Sequence, residues 1–220
     1  MIVRMPRFLP MLVVLAPLSL AACSGAGYES PFLYKNITVA EGSAKAGDGQ
    51  RVLFKGSPLN LSGTGINVGD QLRNVKLTQT DLSAVSIMET AGKGRVRIIS
   101  VVPSLDTKVC EQQTHHLSEK SKGLDKMVEL ITISVDTPFA QKRFAEEAKI
   151  SNVTFLSDYR NVDFGKTYGL YLKDPHILAR AIIVVDPHNT VRYLQITPEL
   201  AQMPDMESAF QAAHKLITEG

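Results

Sequence analysis

The run VRIISVV at residues 96–102, closed by Pro103, constrains this chain more than any other feature. Val96, Ile98, Ile99, Val101 and Val102 leave little polar alternation, so the run reads as a strand buried on both faces of a sheet. Pro103 lacks the N–H that a hydrogen-bond ladder needs and ends it. Ser104, Asp106 and Thr107 then offer helix-capping oxygens, and from Val109 onward the pattern favours a helix. Cys110 therefore falls in a first helical turn, where unpaired backbone N–H groups and the helix dipole favour a negative charge on the sulfur.

The same grammar recurs downstream. MVELITISV at 127–135 is another β-rich apolar run, followed by Asp136-Thr137-Pro138 as a cap and FAQKRFAEEAK as a helix. A short strand is expected at 153–156, a short helix at 162–168, a loop at 172–176 and a third buried strand at 179–186. A turn at 187–189 leads into a hairpin partner at 191–196, and residues 206–217 close the chain as an amphipathic helix. Upstream, RVLF and PLNL flank Lys55-Gly56-Ser57 as an N-terminal hairpin, with weaker strand signals at 74–78 and 85–87. Strands alternating with helices, then a hairpin and a terminal helix, predict an α/β sandwich whose central mixed β-sheet is flanked by helices. Sites in such sheets form where strands end and helices begin, and residues 103–110 lie at such an end.

The start of the chain reads differently. Arg4 and Arg7 precede an apolar run at 8–20 that is interrupted by Pro10 and Pro17 and is shorter than the roughly 20 residues a membrane span needs. Leu20-Ala21-Ala22-Cys23 resembles the lipobox of bacterial lipoproteins, which implies removal of residues 1–22 and lipid attachment to Cys23. Ser24 after it favours, by the same resemblance, the outer membrane of a bacterial cell envelope. Cleavage removes Arg4 and Arg7 and no acid, taking the formal net charge from +2 to zero and leaving no basic surface for nucleic acid. Residues 23–50, with PFLY and GSAKAGDGQ, read as a lipidated N-terminus and flexible tether, and the folded domain as residues 51–220. The chain has two cysteines; with Cys23 carrying lipid, Cys110 is an unpaired thiol in an exported protein, either incidental and buried or retained for its reactivity, and its position in the turn favours reactivity.

Thr107, three residues before Cys110, is placed for its hydroxyl to face the sulfur, and Pro103 to shield it from water. A guanidinium from elsewhere would complete the site, and Arg180 is the candidate: at the start of an apolar strand it is either paired or marks where that strand meets solvent. His115 and His116 are adjacent, so they point apart on a helix, and neither has a second cysteine at metal-site spacing; solvent-facing helix positions are the expectation. His176 is expected at an exposed loop and Glu111 at the helix start, without a catalytic role.

PSLDTKVC resembles the P-x-x-x-T-x-x-C motif of peroxiredoxins, and ISVDTPFAQKRF with LARAIIVVD resembles their thiol peroxidase subfamily, over the whole of residues 51–220. The resemblance implies a thioredoxin-like fold, Cys110 as the peroxidatic cysteine, Pro103 and Thr107 shaping its surroundings, and Arg180 stabilising the thiolate and binding the peroxide. It implies no cofactor or metal, a hydroperoxide substrate, an external thiol reductant and commonly a homodimer. One position departs from the subfamily: the resolving cysteine expected after DxPFAQxRF is replaced by Ala145, and Thr132 stands where another cysteine can occur. A one-cysteine cycle follows, in which a thioredoxin-like protein or small thiol resolves the sulfenic acid of Cys110. The alternative is a membrane-tethered peroxide sensor or partner-binding lipoprotein without turnover. Disulfide exchange and copper carriage are disfavoured by the absence of a CxxC pair.

Overall fold

The computed structural model describes residues 1–2, 32–90 and 95–219, and the unit that starts at Phe32 carries the fold. The export signal and Cys23 lie outside the described residues. Among the described residues no helix is long and apolar enough to cross a membrane.

Two short strands, β1 (Arg51–Phe54) and β2 (Ser57–Ser62), form the expected N-terminal hairpin, turning at Lys55 and Gly56 with φ of 50° and 81°. Then follow β3 (Lys76–Gln79), β4 (Ala84–Ser86), β5 (Arg97–Val101), α1 (Lys108–Glu119), β6 (Glu129–Ser134), α2 (Pro138–Glu147), β7 (Thr154–Ser157) and α3 (Asp163–Tyr168). The chain ends with β8 (Tyr171–Leu172), β9 (Ile177–Leu178), β10 (Ala181–Val185), β11 (Val191–Ile196) and α4 (Met206–Thr218). A 7-stranded sheet runs in the order β11-β10-β5-β6-β7-β3-β4. Its centre β5-β6-β7 is parallel, because α1 and α2 provide the crossovers, and antiparallel pairs extend it on both sides. The mixed sheet flanked by helices with an N-terminal hairpin matches the fold expectation.

Alternation along β5 decides which layer each side chain joins. Ile99 and Val101 face a core with Ile131, Ile133 and Ile183, the hairpin residues Val52 and Leu61, and Phe164 and Tyr168 of α3. Ile98 and Val102 face the other way, with Leu130, Ile182 and Val184, onto Cys110 and Leu117 of α1 and Met206, Phe210 and Ala213 of α4. Both faces are covered, which is why β5 and β10 are buried at every position.

The structure corrects two boundaries. The loop expected at 172–176 is bracketed by β8 and β9, which pair with each other and add to β2, so the hairpin grows into a 4-stranded sheet of order β1-β2-β8-β9. The flexible tether expected through residue 50 does not extend over its last part. The Ala40 N–H donates to the Met203 carbonyl at 2.7 Å, that of Ala44 to Ile196 at 2.8 Å and that of Gly47 to Gly169 at 2.9 Å. Gly169 has φ +66°, and a Cβ on it would lie 2.4 Å from the Gly47 nitrogen, so these backbones meet in direct contact. Small residues that read as linker composition serve here as close-packing residues.

Candidate active site

The carboxyl ends of β5 and β6 meet the amino ends of α1 and α2, and Pro103 to Cys110 fill the junction. Asp136, just past β6, fixes this loop: its Oδ1 accepts from Ser104 Oγ and its Oδ2 from the Leu105 N–H, both at 2.8 Å. Thr107 is the N-cap of α1 in extended conformation, as its sequence position predicts. Its side chain makes no cap bond and does not hydrogen-bond the sulfur; its hydroxyl donates to the Ser104 carbonyl at 3.2 Å and is exposed. The expectation that Thr107 faces Cys110 is thus not met in this conformation, because the loop carbonyl three residues back offers the nearer acceptor. Pro103 is buried and lines the mouth of the site.

Cys110 is 0 % exposed and the one free cysteine among the described residues. Arg180 reaches it from the residue before β10. The guanidinium is 2 % exposed, with Nη2 3.4 Å from Cys110 Sγ, Nη1 2.7 Å from Gln113 Oε1 and Nε 2.9 Å from the Leu200 carbonyl. Of the two alternatives for Arg180, pairing holds and solvent exposure does not. Every edge of its planar fork has an acceptor, which fixes the plane as well as the charge.

Gln113 and Leu200 were not singled out by the sequence reading. Gln113 sits one turn beyond Cys110 on the inward face of α1, where its Nε2 donates to Ser100 Oγ at 2.8 Å. An i, i+3 polar partner on the buried face of a cysteine's helix was the available signal. The Leu200 contact is made by a backbone carbonyl, for which side-chain identity carries no signal. The first turn of α1 is tied further by Thr114 Oγ1, which donates to the Cys110 carbonyl at 2.9 Å.

A cleft of about 610 Å³ opens beside Pro103, Thr107 and Arg180, walled by Phe54 and Leu59 of the hairpin, Val109, Pro175, Ile177 and Leu200. Its only charged lining groups are cationic: Lys55, Lys108 and Arg180. His176 is exposed as expected and pairs with the Tyr171 hydroxyl at 2.8 Å, outside the cleft lining. Glu111 is half-buried in the first turn.

The solvent-facing expectation fails for His115, which is 5 % exposed, stacked on Phe32 at 3.9 Å between centroids and 2.7 Å from Glu119 Oε1. His116 is half-buried, and desolvation, with the nearby Lys120 charge, holds it below the ordinary histidine range. Among the described residues no cluster of three or more His, Cys, Asp or Glu is arranged to hold a metal.

An apolar cleft that reaches Arg180, whose guanidinium is paired with the buried Cys110 thiol, suits a small electrophile with an apolar substituent. Comparison with known proteins points the same way. The Redoxin family model matches residues 67–212. The thiol peroxidase of Halalkalibacterium halodurans is 43% identical over 162 residues, 74% of this chain and 96% of that protein. That of Streptococcus pneumoniae strain R6 is 41% identical over 165 residues, 75% of this chain and 99% of its own length. A peroxiredoxin-like protein from Aquifex aeolicus superposes with a TM-score of 0.71 at 34% identity, covering 80% of this chain and 100% of that one. A thiol peroxidase from Chromobacterium violaceum superposes with a TM-score of 0.65 at 25% identity, covering 77% and 96%.

Proposed function

Since this chain belongs to the Redoxin family and is a peroxiredoxin-type thiol peroxidase with Cys110 as its peroxidatic cysteine, we propose that it reduces hydrogen peroxide and organic or lipid hydroperoxides by a one-cysteine cycle at the surface of a bacterial envelope membrane. The single observation that carries the site assignment is the Arg180 fork, divided between Cys110 Sγ, Gln113 and Leu200. A peroxide entering along the cleft meets the Cys110 thiolate at its terminal oxygen. The S–O bond forms as the O–O bond breaks, and the departing alkoxide takes a proton and leaves as an alcohol, or as water from hydrogen peroxide. The Arg180 donors face the charge as it passes from sulfur to the separating oxygens. Pro103 excludes water, and Thr107, freed from the Ser104 carbonyl, donates to the peroxide. The apolar cleft walls support organic hydroperoxides as substrates alongside hydrogen peroxide.

The second half of the cycle needs a thiol from outside. Ala145 replaces the resolving cysteine, and Cys23 is assigned to the lipid, so the Cys110 sulfenic acid condenses with an external thiol, releasing water, and a second thiol frees the enzyme. A thioredoxin-like protein or a small thiol fills that role. The anchor at Cys23 rests on the signal and lipobox residues and accounts for the placement at a membrane, where hydroperoxides of membrane lipids arise. A homodimer is the assembly the family resemblance supports, and light scattering of the mature chain tests it.

The test of the function is steady-state peroxide consumption by the mature chain with several reductants. Turnover with an external thiol is the expected result. Oxidation of Cys110 that no supplied thiol reverses would instead select the sensor reading, which Ala145 motivates. Fatty-acid labelling lost in Cys23→Ala tests the anchor.

A further inference from the structure

The segment 32–44 touches both halves of the site. At one end it grips the helix that carries Cys110. The Lys35 N–H donates to Gln112 Oε1 at 2.7 Å, and Gln112 Nε2 donates back to the Lys35 carbonyl at 2.9 Å. This is a ladder-like pair made by a side-chain amide that is 6 % exposed. The Tyr34 hydroxyl donates to Glu119 Oε2 at 2.7 Å, and Phe32 stacks on His115. At the other end the segment grips the stretch that holds Arg180. The Ala40 N–H donates to Met203, the Met203 N–H donates to the Thr38 carbonyl at 2.9 Å, and Gln195 Nε2 reaches the Ala40 and Gly42 carbonyls. Between them Ile37 packs against the cluster that contains Cys110.

The two grips differ in character. Leu33, Lys35 and Asn36 are exposed and the contacts to α1 are polar and aromatic, whereas Ala40 is buried and backbone-paired. Contacts of the first kind open at lower cost than those of the second. The Redoxin family match begins at residue 67, downstream of this strap.

We propose that residues 32–44 form a positioning strap and Gln112 its positioning residue: docked, the strap holds α1 folded with Cys110 beside Arg180, and its release from Gln112 lets the sulfur reach a protein-sized reductant. The second half follows from burial. Cys110 is 0 % exposed, and a mixed disulfide with a protein thiol requires the attacking sulfur to reach it in line. A peroxide approaches instead as a small molecule along the cleft beside Pro103, Thr107 and Arg180. The proposal rests on the peroxidase cycle above for its kinetic consequences, while its structural core stands apart from it.

The experiment uses the full mature chain and its Gln112→Ala and Tyr34→Ala variants; the second leaves the sequence of α1 intact. Hydrogen exchange across residues 108–119 is measured together with each half-reaction: single-turnover oxidation by hydrogen peroxide, then reduction by reduced thioredoxin or by β-mercaptoethanol. Loss of the paired amide contacts is expected to speed exchange in α1 and to slow oxidation, each by about tenfold. Reduction by thioredoxin is expected to accelerate, and reduction by β-mercaptoethanol to change less. A strap that merely stabilises the fold would slow both half-reactions together, which would overturn the proposal. Unchanged exchange in α1 would overturn it as well. A wild-type chain that consumes no peroxide would refute the peroxidase reading, and the exchange data would still decide whether the strap holds the helix.

Discussion

Arg180 Nη2 lies 3.4 Å from Cys110 Sγ, and both residues are sealed from solvent. A permanent charge is costly to bury unless it is paired and hydrogen-bonded, and here the Leu200 carbonyl on Nε and Gln113 on Nη1 join the sulfur so that each guanidinium nitrogen has an acceptor. Arg180→Lys keeps the charge but loses the fork. It is expected to lower kcat/KM for peroxide by roughly 10²–10³, the usual effect of removing a donor to developing oxygen charge. Stopped-flow peroxide consumption checks this, and Cys110→Ser should abolish turnover altogether.

Gln113 links the two through its carbonyl oxygen on Arg180 and its amide on Ser100. Gln113→Leu fills similar space but strips Arg180 Nη1 of its acceptor. Peroxide reactivity is expected to fall by about tenfold, and stability by roughly 1–3 kcal/mol for the unpaired buried donor. Urea unfolding beside single-turnover kinetics separates the two effects.

Asp136 binds the loop between Pro103 and Thr107 with both carboxylate oxygens. Asp136→Ala releases the Leu105 N–H and the Ser104 hydroxyl together. A stability loss of about 2 kcal/mol is expected, with a comparable tenfold drop in the rate of sulfenate formation, because the reacting groups lose their fixed geometry. The rate at saturating peroxide reports the second.

Asp158 caps α3 through the Phe164 and Gly165 N–H groups, yet burial outweighs those bonds and pushes its carboxyl up to about 6. A carboxyl raised in the folded state binds protons that the unfolded chain has already released. Its contribution to stability is therefore full below about pH 4 and is lost as pH rises through about 6. Subtracting Asp158→Asn from wild type should show this difference falling by up to roughly 3 kcal/mol across that window. Urea titrations at stepped pH provide the comparison; a flat difference would contradict it.

The central strands were legible because burial on both faces leaves an unbroken apolar run, and the helix start after Pro103 because proline and capping residues carry local signals. Arg180 was legible as a charge that needed a partner. Arg97 offered the same signal: it is also buried, at the far end of β5, bound to the Ile87 carbonyl and Asn189. Only the PSLDTKVC and LARAIIVVD motifs separated the two. The Thr107 hydroxyl could not be read, since its acceptor is a backbone carbonyl three residues away. His115 and residues 34–47 were misjudged for a shared reason. Their burial comes from each other and, for residues 34–47, from α1, β11 and the backbone at Gly169 and Met203, so neither stretch shows it alone.

The most direct test is to treat the mature chain with one equivalent of peroxide and map its thiol state by peptide mass spectrometry, before and after an external thiol is added. The predicted result is complete peroxide loss, a trappable sulfenic acid on Cys110 alone, and then a mixed disulfide between Cys110 and the added thiol. Peroxide left unconsumed, or a disulfide joining Cys110 to Cys23, would contradict the one-cysteine cycle.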